Sequence, residues 1–184
     1  MKFTKNYTME ENQKSVIMPS LMYGIYLGFA LIVYSLLLFL LDVDQESWLT
    51  WIAYVIMAAG LFWAMISIRD KELGGFISYG KAFGAGFWTA LFAAIISGIF
   101  TYIYVIYIDP GLIDEILLKA EESILEGNPD MSDEQFDTAM MWTEKFTSPV
   151  MITVWASVAN IFFGVILSLI IAIFAKRENN SAAA

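Results

Sequence analysis

The stretch KAFGAGFWTALFAAIISGIFTYIYVIYIDP, residues 81–110, decides the fold. No charged side chain occurs between Ala82 and Ile108. A helix rises about 1.5 Å per residue, so a charge-free run of this length outspans the roughly 30 Å hydrocarbon core of a bilayer. It reads as a membrane span, since a helix satisfies its backbone polar groups internally where water is absent. Gly86, Ala90, Ala94 and Gly98 recur at every fourth position within it. That spacing lines small side chains along one helix face and admits a second helix at close range.

Working outward, three more long apolar blocks read as spans, over 20–41, 48–68 and 149–174, alongside 82–108. The first holds Gly24 and Gly28 in a GxxxG pattern, and the second opens with Trp48 and Trp51, aromatic residues suited to the headgroup region. Tyr102, Tyr104 and Tyr107 form a similar belt at the end of the third. The last span carries Ala156, Asn160, Gly164, Ser168 and Ala172 at four-residue spacing. This mirrors the stripe on the third span, so the two are expected to face each other.

Between these spans, 110–147 is too polar to cross a membrane. Pro110 suits a first helical turn, and Ile113, Ile116, Leu117, Ala120 and Ile124 recur at helical spacing. Gly127-Asn128-Pro129 ends that helix, and Ser132 with Gln135 forms a capping box that starts another. The segment is expected to be an αα hairpin. At the front, residues 1–18 read as a cytoplasmic segment, with Thr8 and Glu11 capping a short interfacial helix up to Met18 before Pro19. The mixed charges of Met1 to Lys14 do not fit a cleaved signal peptide. Residues 178–184 read as a disordered tail after the 19–177 membrane domain.

The chain has 184 residues, 59% of them hydrophobic and 16% charged, in blocks rather than at amphipathic spacing. The class is an all-α integral membrane protein, a four-span bundle. Net charge is −9, and 11 of the 19 acids lie between Asp109 and Glu144. That imbalance belongs to one loop and no basic stripe exists, so nucleic acid is not an expected partner. The absence of Cys and His removes disulfides, thiolate nucleophiles, imidazole chemistry and His-ligated metals.

Orientation follows from the basic residues. With both ends inside, Lys2, Lys5, Lys14, Arg69, Lys71, Lys81, Lys176 and Arg177 are cytoplasmic, against Lys119 and Lys145 outside. This is the positive-inside bias, and it puts the acidic hairpin on the extracytoplasmic side of a bacterial inner membrane.

The runs GGFISYGKAFGAGFWTALFAAIISGIFTYIYVIYIDPGLIDEI, residues 74–116, and SLMYGIYLGF, residues 20–29, resemble a membrane family known as domain of unknown function 4199. The similarity extends from about residue 18 to 177, and its most specific parts are Ser78-x-Gly80-x-Ala82-Phe83 and Ile108-Asp109-Pro110. The resemblance implies four spans in a bacterial inner membrane, chiefly in Bacteroidetes, with no assigned activity and no functional residues to transfer.

Among candidate sites, Asn160 is the strongly polar side chain nearest mid-membrane. Polar residues at that depth are functional candidates, and the structural alternative is a hydrogen bond to Ser97, Thr101 or a backbone carbonyl. Gly86, Ala90, Ala94, Gly98, Ala156, Gly164 and Ser168 are assigned to helix packing; a homodimer through Gly24 and Gly28 is the weaker reading of GxxxG. Asp130, Asp133, Glu134 and Asp137 lack calcium-loop spacing, and acids in a first helical turn complement its dipole. Met131, Met140, Met141 and Met151 suit adaptable packing better than copper. No nucleotide, zinc-protease or serine-hydrolase motif occurs, so neither an enzyme nor a cofactor is expected.

Three functions are compatible with these residues. The foremost is a structural or interaction protein presenting its acidic hairpin to a protein partner. The alternative is a small oligomeric transporter or channel subunit for a neutral solute, since the spans hold no ionisable group for proton coupling. Interfacial catalysis by Asp109 with Asp114 or Glu115 has the least support.

Overall fold

A computed structural model describes residues 15–44 and 47–178. Most of the expected interfacial helix and the tail from 179 lie outside them. The elements are α1 (Ile17–Leu40), a 3₁₀ turn (Trp48–Trp51) running into α2 (Ile52–Lys71), α3 (Tyr79–Ile103) continued by a π-helical turn (Tyr104–Ile108), α4 (Gly111–Gly127), α5 (Asp133–Phe146) and α6 (Pro149–Ala175). The four segments Ile17–Leu40, Trp48–Lys71, Tyr79–Ile108 and Pro149–Ala175 are long and apolar enough to cross a membrane. Their outward faces are greasy, as with Phe29, Val33, Val55, Phe62, Ile99 and Phe174, all exposed. A folded chain surrounded by water rarely shows so much continuous apolar surface, whereas lipid solvates it. The protein is an all-α membrane protein.

Helix limits differ from the expected spans by one to three residues at most ends. Ile17 and Met18 belong to α1 rather than to a separate helix before Pro19. Proline in a first turn forfeits only an N–H that has no intrahelical partner there, so the helix accommodates it. Helix α3 begins at Tyr79, one turn ahead of the charge-free run, and Ala82 N–H reaches the Ser78 carbonyl at 2.9 Å.

The chain divides into two compact units, residues 1–97 with 160–184 and residues 98–159. In the first, α3 is the hub. A methyl built on Gly24 of α1 would lie 2.6 Å from Phe92 Cβ and 2.9 Å from the Thr89 carbonyl oxygen, and one on Gly28 would lie 3.1 Å from Ile96 Cβ. At Gly24 only hydrogen at Cα permits this approach, at Gly28 an added methyl would press on Ile96, and the GxxxG face of α1 is consumed by packing within the chain. Gly60 of α2 is covered by Leu27 of α1, Gly86 of α3 by Met65 and Ser168, and Gly164 of α6 by Ala90. Leu61, Ala64, Met65, Ile68, Ala82, Ala85, Ala172 and Ala175 complete a core with almost no exposure. The Ser20 and Thr89 hydroxyls both donate to the Ala85 carbonyl, at 3.0 and 2.8 Å, so these buried groups find partners without breaking a helix.

One end of this unit is fastened by backbone outside the helices. Gly74 and Gly75 have φ of +71° and +90°, values costly for other residues, and they turn the chain after α2. Ile77 then pairs antiparallel with Arg177, exchanging two N–H···O bonds of 2.9 Å. Arg69 Nη1 donates to the Ala175 carbonyl at 3.2 Å, capping the end of α6, while its Nε and Nη2 hold Asp70 at 2.7 and 3.2 Å. The Arg177 guanidinium lies 5.6 Å from the centre of the Phe76 ring.

In the second unit, a methyl on Gly98 would lie 2.6 Å from Ser157 Oγ. The π-helical turn closes with Asp109 N–H bonded to the Tyr104 carbonyl at 2.9 Å, and the Tyr104 hydroxyl donates to Asp109 Oδ2 at 3.1 Å. Tyr104 is buried, so it does not share the exposed aromatic belt with Tyr102 and Tyr107. Helices α4 and α5 touch one another and are joined by a turn in which Met131 N–H bonds the Asn128 carbonyl at 3.1 Å. Ser132 and Gln135 form the expected capping box, with bonds of 3.4 and 3.2 Å.

Candidate functional site

The site is assembled from the start of α2 inward. Ser47 caps the 3₁₀ turn by accepting the Leu49 N–H at 3.4 Å, and the Thr50 hydroxyl donates back to the Ser47 carbonyl at 2.7 Å. From α1 the Tyr34 hydroxyl donates to the Leu49 carbonyl at 2.6 Å, pinning this turn to its neighbour. The turn therefore delivers Trp51 and the first residues of α2 in a fixed register. Ala53, Tyr54 and Met57 share one face of α2, and Thr50 of the turn stands beside that face. The Tyr54 ring is held between Trp51, at 5.6 Å centre to centre, and Phe163 of α6, at 4.7 Å.

That face bounds a cavity of about 510 Å³ lined by Leu31, Thr50, Trp51, Ala53, Tyr54, Met57 and Asn160. The volume is within the range of small-molecule sites. No lining residue is ionisable near neutral pH, so the cavity is electrostatically suited to a neutral group. Asn160 is half-buried, and its amide has no hydrogen-bond partner among the described residues. A primary amide offers two donors and a carbonyl acceptor, and leaving these unmet away from water costs about 1–3 kcal/mol on mutational scales. Asn160 therefore brings unused hydrogen-bonding capacity to a preformed space.

The structure sets the other sequence candidates apart from it. Ser97 is buried on α3 and does not line the cavity, whereas Thr101 falls in the unit 98–159. Gly86, Ala90, Ala94 and Gly98 are all buried, as are Gly164 and Ser168; Ala156 is half-buried, and the residue meeting Gly98 is Ser157. Sequence reasoning missed Thr50, Tyr54 and Met57 as companions of Asn160. Their shared face was legible, but its partner helix was not. Among the described residues no three carboxylates converge in a way that would hold a metal ion.

The acidic helices form the second feature. Neither α4 nor α5 has a fully buried residue. Ile113, Ile116, Leu117, Ala120, Ile124, Phe136, Ala139 and Met140 are half-covered, while Leu118, Leu125, Met141 and Trp142 are exposed. The two lysines of this region are both engaged, Lys119 with Glu115 at 3.0 Å and Lys145 over the Trp142 ring at 4.9 Å.

No curated protein and no solved structure matches the chain. A model of the family described as proteins of unknown function, DUF4199, matches residues 22–177. This is the segment that contains all of α2 to α6, the cavity and the acidic helices, and the protein belongs to the DUF4199 family.

Proposed function

We propose that the protein is a membrane-anchored interaction module. Four spans, with both chain ends on the cytoplasmic side of a bacterial inner membrane, hold α4 and α5 as an acidic hairpin on the extracytoplasmic side, where it engages a partner protein. In this reading it is not an enzyme and needs no cofactor. One observation carries it: Leu118, Leu125, Met141 and Trp142 stand exposed among carboxylates on two helices that bury nothing completely, the second of them started by a full capping box. Residues 109–145 hold 11 acids and two lysines, while the remaining eight acids and eight basic residues cancel. The partner surface is therefore apolar with a basic rim, matching charge for steering and apolar contact for affinity.

A photo-crosslinking residue at Leu118 or Trp142, in cells making the protein at native level, tests this. One discrete adduct is expected from each position, lost when Asp130, Asp133, Glu134 and Asp137 become their amides. Adducts that are absent at both positions, or indifferent to the four charges, refute the reading. The chain contains no cysteine, so a single Cys replacing Glu122 reports sidedness through an impermeant maleimide. Labelling of intact spheroplasts is expected.

A second reading, a carrier or channel subunit for a neutral solute, draws support from the uncharged cavity at Asn160. Solute flux into proteoliposomes that is lost in Asn160→Leu is its test.

A further inference from the structure

The cavity beside Asn160 has a chemistry that selects its occupant. Its walls are Leu31, Ala53 and Met57 together with the rings of Trp51 and Tyr54, and its polar groups are the Thr50 hydroxyl and the Asn160 amide. Thr50 already spends its proton on the Ser47 carbonyl, so its oxygen is left as an acceptor. Asn160 presents both donors and an acceptor. The site thus pairs a small hydrogen-bonding group, without net charge, to an apolar remainder.

Its surroundings narrow the choice further. Trp51 is 65% exposed at the start of an apolar α2, the position an amphipathic ring takes at a membrane–water boundary, and Met57, further along the same helix, belongs to the buried apolar core against which Leu31 packs. A molecule filling this space sets its polar group against Thr50 and Asn160 and its apolar part along Leu31, Ala53 and Met57. A polar solute taken from water would surrender its hydration to walls that are mostly carbon.

We infer that this cavity binds a neutral amphiphile drawn from the bilayer, with a hydroxyl- or amide-bearing head on Asn160 and Thr50 and its chain against Leu31 and Met57. The inference uses the cavity of the second reading but requires no transport, so a negative flux assay leaves it standing. It is also independent of α4 and α5, whose crosslinking tests a different surface.

The full-length protein in a maltoside detergent, titrated with monoolein as the probe, provides the test. Methyl oleate, which keeps the chain and loses the hydroxyls, and glycerol, which keeps the hydroxyls and loses the chain, serve as comparisons. Monoolein is expected to raise the unfolding midpoint saturably, by about 3–6 °C at roughly ten times its half-saturating concentration. Methyl oleate and glycerol are expected to give under a third of that shift. Ala53→Phe, which fills the cavity, and Asn160→Leu, which removes its amide, are expected to unfold normally without ligand and to lose the monoolein response. An equal shift with methyl oleate or with glycerol overturns the inference, as does a shift retained in Ala53→Phe or an absent shift in the parent protein. If either variant fails to fold, the three-ligand comparison on the parent protein decides alone.

Discussion

Replacing Gly164 by alanine puts the central helix crossing to a quantitative test. The added methyl would sit 2.6 Å from Ala90 Cβ and 3.8 Å from Ala90 Cα. Carbon atoms attract best at about 3.5–4.0 Å, so roughly 1 Å has to be found. Ala90 has no rotamer to swing aside, and the helices must part or slide. Doing so loosens contacts on either side, including Gly86 against Ser168. Overpacking of this kind costs about 1–3 kcal/mol, and the better helix preference of alanine returns up to about 1 kcal/mol, leaving about 1–2 kcal/mol lost. At about 2–4 °C per kcal/mol for a chain of this size, the unfolding midpoint should fall by about 2–8 °C. Ala90→Gly alone should also destabilise, by about 1–2 kcal/mol, through the lost methyl and the glycine inserted in a helix. The double variant moves the methyl from one helix to the other, where it meets Cα at an ordinary distance. It should be at least as stable as either single variant, a departure from additivity of at least about 1 kcal/mol. Tryptophan-fluorescence melts in detergent at a single scan rate measure all four proteins. Additivity within about 0.5 kcal/mol would refute the proposed crossing.

Further outcomes rest on the same geometry. Gly24→Ala, facing Phe92 Cβ and a backbone carbonyl at 2.6 and 2.9 Å, should destabilise more than Gly28→Ala, whose nearest atoms are side-chain carbons at 3.1 Å; thermal melts that reverse this order contradict the packing of α1 on α3. Arg69→Lys should recover little of the loss in Arg69→Ala, about 1–2 kcal/mol, because a single ammonium cannot reach the Ala175 carbonyl while also forking onto Asp70. Ser132→Ala should cost about 1 kcal/mol confined to α5, seen as faster amide exchange in its first turn with the global melt unchanged.

Much of this architecture could be read from composition and period. Charge-free runs longer than a bilayer is thick leave a helix as the only outcome, and Ser132 with Gln135 specified a cap through local chemistry alone. The small residues of α3 and α6 were legible as packing positions, though a fixed four-residue stripe was too rigid a rule. A helix turns every 3.6 residues, so a seam following Ser168 and Gly164 drifts, and Ser157 rather than Ala156 meets Gly98. Pairing between distant segments could not be read. The GxxxG of α1 looks the same whether it faces another copy or α3, and nothing local to Asn160 names Tyr54 or Thr50 as its neighbours. The π turn escaped notice because its residues, Tyr-Val-Ile-Tyr-Ile, are ordinary for any helix in lipid.

The two-residue ladder between Ile77 and Arg177 bears on how the protein comes into being. A ribosome makes Ile77 a hundred residues before its counterpart. The loop after the second helix therefore waits, with one N–H and one C=O unmet by the fold, until the final span has entered the membrane and its trailing residues emerge. That end of the molecule is sealed last, and a chain interrupted just before Arg177 would keep all four apolar helices yet leave the seam between first-made and last-made parts unfastened.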